Sequence, residues 1–164
     1  IGNSRASLLR TLSRIDLLVI NDAEARQLSG ESNLARAARR IMALGPRTLV
    51  IKRGEYGALL FTAKSVFQAP AYLLDEVTDP TGAGDSFAGG MMGYLAAAGT
   101  VNEASLRRAV IFGSVLASFD VMDFGPRKLG DLTFPEIEER YRDFHRLSRF
   151  EDIAAPPARA EELP

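Results

Sequence analysis

Two short, unbroken apolar runs separated by helical signals constrain this chain more than any other feature. Leu17-Leu18-Val19-Ile20 and Thr48-Leu49-Val50-Ile51 lack polar alternation, the pattern of strands buried on both faces of a sheet. Between them, Asn21 to Leu28 reads as a short helix that stops at Ser29-Gly30. A second helix starts near Ser32 or Asn33, carries Leu34, Ala37, Ala38, Ile41 and Met42 on one face, and ends at Gly45-Pro46. Strand, helices, strand is a βαβ unit, whose strands run parallel with a right-handed crossover. The class is α/β.

The remaining elements extend this start. Gly54 and Gly57 punctuate a turn before a third strand at Ala58 to Phe61. Extended pieces near Ser65 to Gln68 and Tyr72 to Val77 predict an antiparallel edge. A helix with Phe87, Met91, Tyr94, Leu95 and Ala98 on its apolar stripe closes at Gly99. Another runs from about Asn102 to Phe119 with Leu106, Val110, Gly113 and Ala117 on one face, where the small residues admit a close neighbour. Thr133-Phe134-Pro135-Glu136 is a capping box with Pro in the first turn of a last helix. Ser4 to Arg14 reads as part of a helix, so a portion ahead of Ile1 is expected. Residues 154–164, rich in Ala, Pro and Glu, are expected to form a disordered tail after a domain spanning 1–153.

Composition removes several classes. At 164 residues the chain can bury one core, and 46% hydrophobic with 25% charged residues is ordinary for a soluble globular domain. A net charge of −1 gives no field toward nucleic acid or an anionic membrane, so neither partner is expected. No apolar run approaches the roughly 18–20 residues that span a bilayer. Cysteine is absent, which excludes disulfides, thiolate zinc sites and a cysteine nucleophile, and the expected location is the reducing cytoplasm. The single histidine, His145, reads as a solvent-facing helix residue.

The segment Asp79-Pro80-Thr81-Gly82-Ala83-Gly84-Asp85-Ser86-Phe87 lies between an extended piece and a helix, which puts the amides of 82–85 at a helix N-terminus. The first N–H groups of a helix lack intrahelical partners, and the macrodipole adds roughly half a positive charge. Glycines at 82 and 84 remove side chains that keep an anion away. The turn therefore suits a phosphate, or charge developing on a transferring phosphoryl group. Asp85 stands out, because a carboxylate here repels phosphate unless it has chemical work. Accepting a proton from an attacking hydroxyl is such work. A plain helix start, with Asp in the first turn, accounts for the same residues. Two other phosphate motifs are excluded: Phe87 stands where GxGxxG needs a third glycine, and GxxxxGK[ST] does not occur.

The longer string DPTGAGDSFAGG closely resembles the C-terminal signature of the ribokinase-like (PfkB) carbohydrate and nucleoside kinases, and the likeness runs from about residue 15 to 126. The resemblance implies a ribokinase-like fold with a Rossmann-type, mostly parallel sheet flanked by helices, of which 1–153 is the C-terminal ATP-binding and catalytic part. It implies Asp85 as catalytic base, Gly82, Ala83 and Gly84 as anion hole, Thr81 among the nucleotide-binding residues, and ATP with magnesium as donor. Pro80 stands where the family often has Thr, at a position that needs only its backbone.

Other segments fit the same family. Asn21-Asp22-Ala23-Glu24 is by itself a capping pattern. It also resembles the NxxE motif, which places Asn21 on the nucleotide side and Glu24 at magnesium. Lys52-Arg53-Gly54-Glu55-Tyr56-Gly57 resembles the strand end that meets nucleotide phosphates, with Lys52, Gly54 and Gly57 as contacts. Many relatives have Thr where Lys52 stands, and a lysine can pair with phosphate as a point charge or simply be solvated. Gly113 and Ser114 resemble the adenine-facing part of the following helix, although packing alone explains a small residue there. Asp79 and the turn Met122-Asp123-Phe124-Gly125 resemble loops that hold a monovalent cation in some members, with Asp79 and Gly125 as ligands. Asp123 departs from the basic residue of ribokinases, and an ordinary helix-ending turn accounts for these residues somewhat better.

The implied reaction is in-line transfer of the ATP γ-phosphoryl group to an alcohol of a small sugar-type acceptor, with a nucleoside as the alternative. A non-catalytic ligand-binding module and a plain dinucleotide enzyme are the competing classes. The intact Asp85 argues against the first and the absent GxGxxG against the second. The resemblance also places the acceptor pocket, and a lid through which a homodimer would form, ahead of Ile1. The chain alone is therefore expected to phosphorylate poorly. Calorimetry with ATP plus magnesium and with NAD checks the nucleotide: ATP is expected to bind, and tighter NAD binding overturns the kinase reading.

Overall fold

The computed structural model describes residues 4–125 and 127–152, so the expected tail at 154–164 lies outside the described residues. The elements, in order, are α1 (Arg5–Leu12), β1 (Leu17–Asn21), α2 (Asp22–Ser29), α3 (Leu34–Met42), β2 (Thr48–Lys52), β3 (Ala58–Phe61), β4 (Val66–Ala69), α4 (Ala83–Ala98), α5 (Glu103–Asp120), α6 (Arg127–Gly130) and α7 (Phe134–Ser148). Helix ends follow their caps. The Asn21 side chain accepts from the Glu24 amide while Glu24 accepts from the Asn21 amide, a reciprocal capping box that starts α2, and Gly30 ends it in the left-handed conformation. Thr133 and Glu136 form the same kind of box at α7.

The sheet has the order β1-β2-β3-β4. β1 and β2 are parallel, from Leu17 opposite Thr48 to Asn21 opposite Lys52, which is the expected βαβ unit. β2–β3 and β3–β4 are antiparallel. The described sheet is thus mixed, with a smaller parallel share than the sequence suggested. The physical reason is loop length: the links at 53–57 and 62–65 are too short for a crossover and allow only hairpins. The extended piece at 72–77 joins no ladder. Tyr72 instead turns onto α7, where its hydroxyl donates to Asp143 Oδ2 at 2.9 Å and its ring lies 5.6 Å from that of Phe144.

Alternation along β2 divides the core. Leu49 and Ile51 face one layer with Leu12, Leu28 and Ile41 of α1–α3, and Val50 faces the other with Phe87, Met91, Val110, Val115 and Phe144 of α4, α5 and α7. Helices therefore flank both faces of the sheet. No helix among the described residues is long and apolar enough to cross a membrane.

The placement of α4 rests on α5, its largest helix partner. Two glycines let the helices approach: a Cβ on Gly113 would lie 2.6 Å from the Phe87 carbonyl oxygen, and one on Gly90 would lie 3.0 Å from that of Phe112. Phe87 is 3% exposed in this contact, and burying such a ring stabilises by about 1.5–3 kcal/mol. Gly113→Ala is expected to push α4 outward and cost about 1–3 kcal/mol through overpacking, measured as a lower thermal midpoint of the intact protein.

Candidate active site

The site forms where three chain ends converge. β1 and β2 run parallel, so their last residues, Asn21 and Lys52, lie side by side in register at the carboxyl edge of the sheet. That edge is where open α/β sheets gather ligands. The N-terminus of α4 closes over the same edge. A cavity of about 900 Å³ opens between them, and Asn21, Lys52, Gly54, Gly57, Gly84 and Ser114 are all in its wall. Leu73, Val77 and Val121, which the sequence reading did not single out, add an apolar side together with Ala117. Its signal was faint, since Leu73 and Val77 lie in the segment that was expected to pair as a strand.

The turn before α4 is held from behind. The amides of Thr78 and Asp79 donate to the Val121 carbonyl at 2.8 and 3.3 Å, and the Thr78 hydroxyl donates to the Met122 carbonyl at 3.1 Å. Asp79 Oδ1 accepts the Thr81 amide at 2.9 Å. Hydrogen bonds from Thr81, together with the Gly125 amide, hold the Asp79 carboxyl below its ordinary range, because they favour the ionised form. The expected pair Asp79 and Gly125 is thus brought together, with Gly125 presenting its N–H.

Within the turn, Gly82 takes φ 92°, a conformation that disfavours any side chain. The amides of Asp85 and Ser86 donate to the Gly82 carbonyl at 2.8 and 2.9 Å, and that of Ala83 donates to Pro80 at 3.3 Å. The amides of Gly82 and Gly84 have no partner among the described residues. Two of the three amides expected in the anion hole are therefore free, and the third is loosely engaged. Gly84 meets the end of a side chain from the sheet: a Cβ there would sit 2.5 Å from Lys52 Nζ. The ammonium reaches across the cavity floor from the sheet to the helix start. Lys52 makes no ion pair among the described residues.

The other expected residues divide. Asp85 is exposed on the first turn of α4, outside the cavity wall, and its carboxylate has no partner among the described residues. Glu24 is exposed beside the cavity, with Oε2 committed to the Asn21 amide at 2.8 Å. Its other oxygen offers a hard donor, while Asn21 Oδ1 also accepts the Glu24 amide at 2.8 Å and the Asp22 carboxylate pairs with Arg26. No cluster of three acidic or histidine residues occurs among the described residues. That sparse set fits magnesium, which is usually held by one or two carboxylates, water and substrate phosphates. Thr81 is exposed and stands outside the wall. Gly113 does not face the cavity but packs on Phe87, so packing accounts for it, while its neighbour Ser114 does reach the cavity.

Asp120 went unnoticed in the sequence. It is 2% exposed, and its Oδ2, without a partner among the described residues, would lie 3.1 Å from a Cβ on Gly82. The signal was present: Asp120 extends the stripe Val110, Gly113, Ala117 by one helical step, a charged residue at a core-facing position.

The chain is similar to several known small-molecule kinases. A cytidine kinase from Thermococcus kodakarensis is 39% identical over 55% of this chain and 34% of that protein. An aminoimidazole riboside kinase from Salmonella typhimurium is 32% identical over 87% of this chain and 44% of that protein. The crystal structure of aminoimidazole riboside kinase from Salmonella enterica, complexed with aminoimidazole riboside and an ATP analogue, superposes with a TM-score of 0.73 at 30% identity, covering 87% of this chain and 46% of that one. A structure from E. coli in complex with ATP and Mg²⁺ superposes with a TM-score of 0.70 at 27% identity, over 85% of this chain and 43% of that one. The chain thus spans less than half the length of these relatives. Residues 2–130 match the family described as pfkB family carbohydrate kinase, and the chain belongs to that family.

Proposed function

We propose that the protein containing this chain transfers the γ-phosphoryl group of ATP to an alcohol of a small sugar-type acceptor. The observation that carries this reading is the α4 N-terminus, where two amides without a partner among the described residues share a turn with Asp85, whose carboxylate has none there either, and where Gly84 meets the Lys52 ammonium. Amides at a helix start and a fixed cation attract a polyphosphate. A carboxylate next to them adds only repulsion unless it takes a proton.

In this mechanism Gly54 leaves the backbone open to the nucleotide phosphates, Gly57 lets the turn pack on the Ala69 carbonyl, which a Cβ would overlap, and Ser114 with the apolar residues Ala117 and Val121 walls the base. Lys52 and the Gly82 and Gly84 amides hold the transferring group. Asp85 accepts the acceptor hydroxyl proton as the new O–P bond forms and the bond to ADP breaks. Magnesium, when bound with the nucleotide, supplies charge neutralisation on the phosphates, and Glu24 with Asn21 would hold it through water. A monovalent cation beside Asp79 and the Gly125 turn, and homodimerisation through a lid portion, belong to the same proposal.

A nucleoside acceptor is the second reading. It is favoured by the relatives whose names specify cytidine and aminoimidazole riboside as what they phosphorylate.

Turnover of the intact protein with a panel of sugars and nucleosides tests both readings. Asp85→Asn is expected to lower kcat by on the order of 10²–10⁴ with nucleotide binding retained. Unchanged turnover removes Asp85 as base. Lys52→Met is expected to weaken ATP binding about tenfold or more, the scale of a lost charge-assisted contact. An unchanged Kd for ATP shows instead that Lys52 is a solvated strand end.

A further inference from the structure

Asp120, the last residue of α5, has no part in the mechanism above. It is 2% exposed, its Oδ2 has no hydrogen-bond partner, and it joins no ion pair among the described residues. Arg140 of α7, which contacts the neighbouring Ser118 and Phe119, is engaged elsewhere. Its guanidinium lies 3.6 Å from the centre of the Phe119 ring and 4.4 Å from that of Tyr72, and it donates to Ser118 Oγ at 3.2 Å. The C-terminal pole of α5 adds negative character of its own. A buried carboxylate left without a partner is costly, and a fold that retains one is serving something other than stability.

What the carboxylate faces is the back of the phosphate turn. A Cβ on Gly82 would lie 3.1 Å from Oδ2, so only the thickness of one glycine separates the charge from the open side. The same turn carries the Gly82 and Gly84 amides, which have no partner among the described residues, and Gly84 meets Lys52 Nζ. A helix N-terminus with a lysine in front of it binds polyphosphate strongly, and product held too tightly limits turnover. A fixed negative charge behind the turn subtracts from that attraction, and burial keeps the subtraction from being screened.

We propose that Asp120 is a built-in counter-charge that acts through the Gly82 turn, weakening ground-state binding of nucleotide phosphates and so speeding their release. The proposal rests on the phosphoryl-transfer reading of the site. One charge at this range changes phosphate affinity by on the order of three- to tenfold.

The test uses Asp120→Asn in the intact protein, with Asp120→Leu as a second, apolar variant of the same branched shape. Binding of ADP with magnesium is measured by calorimetry, its release by stopped flow, and stability by thermal unfolding, each in choline and in potassium buffer. Affinity is expected to rise about three- to tenfold through slower release, with kcat and KM both falling. The thermal midpoint is expected to rise, because an unpaired buried charge has gone. A merely structural role moves both readouts the other way. Weaker or unchanged ADP binding in a folded variant overturns the proposal, as does failure of both variants to fold, which assigns the carboxylate to the fold. A potassium dependence of binding present in the wild type and lost with Asp120 also overturns it, by placing a cation on the carboxylate. If the wild type binds no nucleotide, the phosphoryl-transfer reading falls and takes this proposal with it. If the wild type binds and the variants do not tighten, this proposal alone falls.

Discussion

Gly113 offers α4 a bare stretch of backbone, and Phe87 packs into the space where a side chain would stand. That contact sets the distance between α4 and α5, and a helix transmits the setting to its own first turn with little give. The same α5 holds the other end of the turn, since Thr78 and Asp79 hang from the Val121 carbonyl just beyond its last residue. The phosphate turn is thus fixed before and after by one helix. Each hydrogen bond contributes about 1 kcal/mol and the buried ring more. Together they make the position of two glycine amides a property of core packing instead of loop flexibility.

Three aspartates surround this turn, and their surroundings separate them. Asp79 accepts backbone amides and is held ionised by them. Asp85 stands exposed on the first helical turn, where the α4 dipole favours a carboxylate and nothing within the described residues occupies it. Asp120 is buried behind Gly82 with an oxygen that bonds to nothing described. Lys52 meets the same turn from the sheet, at Gly84. One residue type serves as a turn former, as the proposed base and as the proposed counter-charge, according to burial and hydrogen bonding alone.

Local structure and site chemistry share atoms at the other edge of the cavity. The Asn21–Glu24 capping box starts α2, and its two side chains are also the oxygen donors nearest the end of β1. A cap fixes rotamers, so the same hydrogen bonds that begin the helix preorganise those donors. The capping and the nucleotide-side readings of this motif do not compete.

Much of the fold was legible because it follows rules that act within a few residues. Apolar runs without alternation gave β1 and β2, a 3.6-residue period gave the helices, and Asn21, Gly30, Gly99 and Thr133 marked helix ends by cap chemistry. Glycine-rich DPTGAGD announced a helix start that exposes amides. The β2–β3 hairpin in place of a parallel strand, the unpaired 72–77 segment and the identity of the neighbour that Gly113 admits were not legible. Each depends on what lies opposite: a hairpin partner, the Phe144 and Asp143 side of α7, or Phe87 of α4. The sequence by itself determined which elements form, where they begin, and that one of them starts with free amides. Only the tertiary structure decided that Lys52 reaches Gly84 from 32 positions away and that Asp120 stands behind Gly82. Those encounters are set by how helices seat on a sheet, through packing of side chains remote in the chain, and no local term in the sequence encodes that seating.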